Sequence, residues 1–269
     1  MVYHVTVSKE WSGDMATVNY VVEGNGPPLT LIHGVGANLQ SWDPVVSRLS
    51  GMFTILRMDM RGHGKTSGIT PKCTLDSFAD DVHQSMGKAG FERSHIAGFS
   101  LGGMVAQLIA VKHPERVSRL ALLNAVADRL PEERKKLRGR AEIIRKDGIG
   151  SIIEASKTRW FTEAFQRDHP ELVERRLQEM RDNDPDSYAE AYRIFATSDV
   201  GDRVHQIQNN TLIVTSEFDQ GSSPRMAHFM HNQIRYSELV IIPRLKHSVL
   251  MEAPDILSGM LMTFLTRKD

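Results

Sequence analysis

The sequence predicts an α/β fold: a mostly parallel, eight-stranded sheet flanked by helices, with a helical insertion near its middle. Three observations carry this. Short apolar runs of strand length alternate with segments of helical period, the pattern that right-handed βαβ crossovers and a parallel sheet produce. From about Asp128 to Gln206 the alternation lapses, and amphipathic helical segments dense in Arg, Lys, Glu and Asp replace the strands. Finally, a strand-to-helix junction at Gly98-Phe99-Ser100-Leu101-Gly102 holds a serine between glycines. Residues 1–127 and 207–269 are therefore expected to form the core, and residues 128–206 a helical cap over the sheet's C-terminal edge, all one domain.

Bulk composition narrows the function. The chain has 269 residues, 41% hydrophobic and 25% charged, the balance of an ordinary soluble globular protein long enough to bury a large core. Thirty-three basic residues offset thirty-three acidic ones, so no net field favours nucleic acid or an anionic membrane. A small-molecule substrate is the expected partner. Cys73 is the only cysteine, which excludes an intramolecular disulfide and a cysteine-built metal site. No metal or cofactor is expected. Residues 1–7 alternate like a strand rather than a leader peptide, and no apolar run reaches membrane-spanning length, so a cytoplasmic location is expected.

Taken in order, residues 2–7 and 16–22 read as two strands of a hairpin around Ser12-Gly13-Asp14. Residues 29–32 form a short apolar strand running into His33-Gly34-Val35-Gly36. Ser41-Trp42-Asp43-Pro44 opens a helix, since Ser or Asp caps well and proline suits a first turn. After a strand at 53–58 comes Asp59-Met60-Arg61-Gly62-His63-Gly64-Lys65-Thr66, read as a rigid loop held by internal charge pairing rather than a catalytic cluster. The helix at 75–88 aligns Leu75, Phe78, Ala79, Val82 and Met86 on one stripe, leaving Asp76, Asp80 and Asp81 as solvated-face charges. Strands follow at 94–97, 117–123, 211–215 and 239–243, and a closing helix at 253–265 sets Ile256, Leu257, Met260 and Phe264 at core spacing. Within the helical insertion, breaks fall near Gly148-Ile149-Gly150, His169-Pro170 and Asn183-Asp184-Pro185.

The serine junction has the form of a nucleophile elbow. Side chains two before and two after the serine would strike neighbouring backbone, and Gly98 and Gly102 remove that conflict. A serine hydroxyl is a poor nucleophile at neutral pH, so it needs a neutral imidazole to take its proton and an acid to orient that imidazole. His247 lies on the loop beyond the last strand, and Asp219 on the loop one strand earlier, giving the order Ser…Asp…His. Glu217 and Asp128 stand on post-strand loops as weaker candidates for the acid. The glycine loop at 33–36 is suited to an oxyanion hole; in acyl-transfer enzymes of this architecture the donors would be the N–H groups of Val35 and Leu101. Arg159 and Trp160 combine a cation with an aromatic face, and are the candidates for contact with the substrate, Arg159 with a carboxylate.

Those stretches, with Phe218-Asp219 and with His247 followed by Glu252 and Pro254, resemble an α/β-hydrolase over essentially the whole chain. The segment Arg159-Trp160-Phe161-Thr162-Glu163-Ala164-Phe165, followed by His169-Pro170, is most similar to 3-oxoadipate enol-lactonase-like hydrolases. The resemblance implies a cofactor-free serine hydrolase of a small ester or lactone, working through an acyl-enzyme on Ser100. Two other readings stand beside it: a carbon–carbon bond hydrolase of a diketone with the same triad, and a small-molecule receptor on a hydrolase fold.

Overall fold

The computed structural model describes residues 17–267. Seven strands form one sheet: β1 (Tyr20–Gly24), β2 (Pro28–Ile32), β3 (Thr54–Met58), β4 (Ser94–Phe99), β5 (Val117–Leu123), β6 (Thr211–Ser216) and β7 (Ser237–Ile242). Their spatial order is β1-β3-β2-β4-β5-β6-β7, with β1 antiparallel to β3 and every other pair parallel. The predicted strand at 2–7 and its hairpin lie outside the described residues, so seven strands of the expected eight are described. The second predicted strand starts later than expected, at Tyr20.

Parallel strands covered on both faces read as continuous apolar runs, and β6 is buried along its whole length. Helices α1 (Asp43–Leu49), α2 (Leu75–Lys88) and α3 (Leu101–Lys112) follow β2, β3 and β4 in the chain. One core layer gathers Trp42, Val45 and Leu49 around α1; another gathers Phe78, Val82, Met86 and Leu108 around α2 and α3. The expected α2 stripe is buried in full, but Asp81 is not a solvated charge. It is 5% exposed and takes a two-point ion pair from Arg61, Nε to Oδ2 at 2.9 Å and Nη2 to Oδ1 at 2.7 Å. Asp76 and Asp80 stay at the surface, where both meet Lys112.

Between β5 and β6 come five helices: α4 (Pro131–Asp147), α5 (Ile153–Trp160), α6 (Glu163–Asp168), α7 (Pro170–Arg181) and α8 (Pro185–Thr197). Three of their four breaks fall where the sequence placed them; the fourth, at Phe161-Thr162 between α5 and α6, was not expected. Gly148 ends α4 at φ +77°, Pro170 and Pro185 occupy first turns, and Asp184 caps α8 by accepting from the Ser187 N–H at 2.9 Å. The chain leaves and re-enters the sheet region through one knot. The Asp199 carboxylate accepts from the N–H groups of Asp128 (3.0 Å), Arg129 (2.9 Å) and Gly201 (2.9 Å).

Helices α9 (Pro224–Gln233), α10 (Val249–Glu252) and α11 (Pro254–Leu265) complete the chain. On α11 the buried stripe runs through Leu257, Leu261, Phe264 and Leu265. Ile256, expected in the core, is 53% exposed: starting at Pro254, the helix turns its inner face one residue further on. Among the described residues no helix is long and apolar enough to cross a membrane.

Candidate active site

Parallel pairing brings the C-terminal ends of β2, β4, β5, β6 and β7 to one sheet edge, with Ile32 beside Gly98, Phe99 beside Leu123 and Ser216 beside Ile242. The site is assembled from the loops that leave there. Ser100 sits between β4 and α3 with φ +56° and ψ −115°, a conformation that side chains avoid unless the surroundings enforce it. The glycines are what enforce it. A Cβ on Gly98 would lie 2.2 Å from the Gly102 carbonyl oxygen, and one on Gly102 would lie 2.2 Å from that of Ile32.

Asp219 follows β6 and is buried, with every lone-pair direction answered. Its Oδ1 accepts from the N–H groups of Gly221 (2.8 Å) and Ser222 (3.0 Å). Its Oδ2 accepts from the Asn124 amide at 2.7 Å and from His247 Nδ1 at 2.6 Å. An ionised carboxylate can only accept, so Nδ1 carries the proton and Nε2 is left with a free lone pair. Burial pushes the Asp219 carboxyl up, but the facing imidazole and these donors outweigh it and hold it below the usual carboxylate range. His247 leaves β7 on a loop tied to the acid loop through Phe218 N–H to Leu245 O (2.9 Å) and Arg244 N–H to Glu217 (2.8 Å). Glu217 is thus spent as a loop brace, and Asp128 pairs with Arg225 at 2.8 Å; neither is the partner of His247.

The glycine loop lies against the elbow: a Cβ on Gly34 would stand 3.2 Å from the Ser100 Cβ. His33 shapes it from below. The Met60 N–H donates to His33 Nε2 at 2.9 Å, so Nδ1 holds the proton and donates it to Gly34 O at 2.7 Å. Burial, with a smaller contribution from the charge of Arg176, lowers His33 to about 4 and keeps it neutral, against the opposing pull of the Gly34 carbonyl. Val35 lines the pocket above this loop. Leu101 opens α3, where the N–H has no partner within the helix. The 59–66 loop is a brace, but not through the internal charge pairing expected of it. Asp59 accepts from Leu39 N–H (2.8 Å), Lys65 N–H (2.9 Å) and the Asn19 amide (2.8 Å), while Arg61 pairs with Asp81 instead.

A pocket of about 280 Å³ opens over this edge and is lined by Ser100, Asp219 and His247 together with Arg159 and Trp160. Phe161, next in line, is fully buried and stacks on Phe165. Four further cations line the pocket: Arg129, Lys136, Arg140 and Arg176. Arg159 bonds to Ala155 O (3.0 Å) and Ser156 Oγ (3.1 Å), and Arg140 to the Tyr192 hydroxyl (3.2 Å). Among the described residues neither reaches a carboxylate. The His247 loop is laced to the α5–α6 turn by Ser248 N–H to Trp160 O (2.9 Å), Lys246 Nζ to Thr158 O (2.9 Å) and Thr162 Oγ1 to Glu252 (2.6 Å). Asn124 and the four further cations escaped the sequence reading. Asn124 was announced only by being a polar residue at the very end of a buried strand, and Arg176 is one arginine among many.

This geometry is that of a hydrolase family, and the match is direct: residues 27–254 fit the alpha/beta hydrolase fold family, to which the chain belongs. It is 28% identical over 242 residues to (E)-2-((N-methylformamido)methylene)succinate hydrolase of Acinetobacter baylyi, covering 89% of this chain and 90% of the relative. To 3-oxoadipate enol-lactonase 1 of the same organism it is 26% identical over 218 residues, 81% of each chain. The crystal structure of the enol-lactonase from Burkholderia xenovorans LB400 superimposes with a TM-score of 0.88 at 25% identity, covering 93% of this chain and 96% of that one. The chain is a hydrolase with enol-lactonase-like similarity.

Proposed function

We propose that the protein is a serine hydrolase that cleaves a carboxylic ester or lactone of a small molecule, enol-lactones included, through an acyl-enzyme on Ser100. The observation that carries the reading is the 2.6 Å bond between Asp219 and His247 Nδ1 in the pocket that Ser100 lines from its strained elbow. With Nδ1 protonated, His247 Nε2 accepts the Ser100 proton as Oγ bonds to the substrate carbonyl carbon. The carbonyl π pair moves onto oxygen, and the N–H groups of Val35 and Leu101 receive that oxyanion. Collapse expels the alkoxide or enolate, which takes the proton back from His247 Nε2. Water, deprotonated by the same nitrogen, then releases the acid and restores Ser100. This chemistry needs no metal or cofactor.

Residues 128–206 act in this reading as a cap over the core formed by residues 1–127 and 207–269, supplying Trp160 and Arg159 to the substrate. The unpaired guanidiniums of Arg159 and Arg140 support a substrate carboxylate at that wall. Ser100→Ala is expected to cut turnover of a p-nitrophenyl ester by at least about a thousandfold while the circular dichroism spectrum is preserved. Unchanged turnover rejects the mechanism. Arg159→Ala should raise KM for an acidic ester and leave that for its neutral methyl ester alone.

A further inference from the structure

The oxyanion loop is gripped from above as well as from below. Gly36, at φ +68°, presents its carbonyl oxygen to Arg176 of α7, whose Nη1 donates to it at 2.8 Å. The Asn183 amide reaches the same oxygen at 3.5 Å. Space is closed around this contact, since a Cβ on Gly36 would stand 2.7 Å from a ring carbon of Tyr188. The Arg176 guanidinium also lies over the Trp160 ring, 4.9 Å from its centroid. One side chain therefore touches both the loop that carries Val35 and the aromatic wall of the pocket.

The charge on that side chain is poorly answered. Its nearest carboxylate is Glu179, 3.9 Å away on the same helix, with the Arg176 side chain only 11% exposed. Burial holds the guanidinium below its ordinary pKa, yet arginine remains protonated at neutral pH. Its positive field reaches the buried His33 and His63 at the base of the loop, lowering both, as a smaller effect than burial itself. A fixed, desolvated cation beside an oxyanion hole acts where charge develops during the reaction and costs no reorganisation then. Ground-state esters are neutral at the carbonyl and gain little from it.

We infer that Arg176 is a positioning residue of the oxyanion hole, holding the 34–36 loop through Gly36 O and adding its positive field to the tetrahedral intermediate on Ser100. This rests on the serine-hydrolase reading above. In the step concerned the Ser100 Oγ–carbon bond forms, the carbonyl π pair becomes the oxyanion, and the proton passes to His247 Nε2.

The test uses the full-length protein with a neutral p-nitrophenyl ester, so that no substrate carboxylate confuses the charge, and with an aryl trifluoromethyl ketone, whose Ser100 adduct carries an oxyanion. Arg176→Gln should lower kcat about tenfold to a hundredfold with KM changed less than about threefold. It should weaken the trifluoromethyl ketone by a like factor, while affinity for the matching methyl ketone, which forms no stable adduct, stays within about threefold. Arg176→Lys, which keeps the charge, should recover part of both losses. That ratio of two affinities is internal to each variant, so a partly destabilised protein still gives an answer. Equal weakening of both ketones, or an effect confined to KM, overturns the assignment and makes Arg176 a structural or substrate-contacting residue. Turnover persisting in Ser100→Ala would instead remove the reading on which the assignment rests, a separate result.

Discussion

At the sheet edge, an added Cβ on Gly98 or Gly102 would stand 2.2 Å from a backbone oxygen; on α4, one on Gly139 would meet nothing within 4 Å. The same contrast runs through everything near those glycines. Leu101 to Ala110 of α3 are all buried, whereas α4, five residues longer, buries Ile144 alone. The edge loops are fixed by backbone and by buried polar groups, foremost Asp219, whose two oxygens each accept two bonds. Beyond α4 the helical segment has its own apolar stripes, Val173, Leu177 and Met180 on α7 and Tyr188, Ala191, Ile194 and Phe195 on α8, with surface ion pairs such as Arg181–Glu174 outside them. Such pairs are individually weak. Chemistry thus sits where the chain has no freedom, and the outer face of α4 is where side chains can change at small cost in stability.

Variants can break or sharpen that contrast. The largest effect belongs to Asp219→Asn: the amide favours the wrong imidazole tautomer, and ester turnover should fall by about four orders of magnitude while the melting curve still shows a cooperative fold. Next comes Gly98→Ala, expected to cost about 3 kcal/mol or more in urea unfolding because a backbone carbonyl cannot step aside. A third test exploits opposite titrations. Asp219 is held low in the fold, so its stabilisation is present above the ordinary carboxyl range and is lost as pH falls through the lowered value. Glu252, which burial pushes up despite its bonds from Thr162, behaves in reverse, and its penalty grows as pH rises through the raised value. Unfolding free energy measured from pH 3 to 7 should therefore flatten at the acid end in Asp219→Asn. Glu252→Gln should gain on wild type as pH rises. The smallest effect is Gly139→Ala, which should stabilise by roughly 0.5–1 kcal/mol in the same urea assay, since it adds helix propensity and meets no neighbour.

Much of the edge was legible in the sequence because its constraints are local. Gly98, Ser100 and Gly102 are fixed by a five-residue turn, and Asp219 and His247 by loops that must leave consecutive parallel strands on one side. Contacts decided by tertiary packing were not legible. Three aspartates on α2 look alike in the sequence, and only the docking of Arg61 selects Asp81 for burial. Ile256 and Leu257 differ in fate by the phase of one helix. The five-cation lining of the pocket comes from α4, α5, α7 and Arg129 on the segment leading into α4, elements whose relative angles no pattern encodes, which is why Arg176 carried no signal.

The knot at Asp199 bears on how such a molecule can be rebuilt. The N–H of Arg129 and the Asp199 side chain that receives it are seventy residues apart in sequence and 2.9 Å apart in space. A segment whose two ends already touch adds no stretched connection to its host. A different set of helices can therefore be joined between those ends without strain, provided that it replaces the bonds which Arg176 makes to Gly36 and which Trp160 and Thr162 make to the His247 loop. Shuffling whole segments at residues 128 and 199 is a route to new specificities that point substitution around Ser100 does not offer.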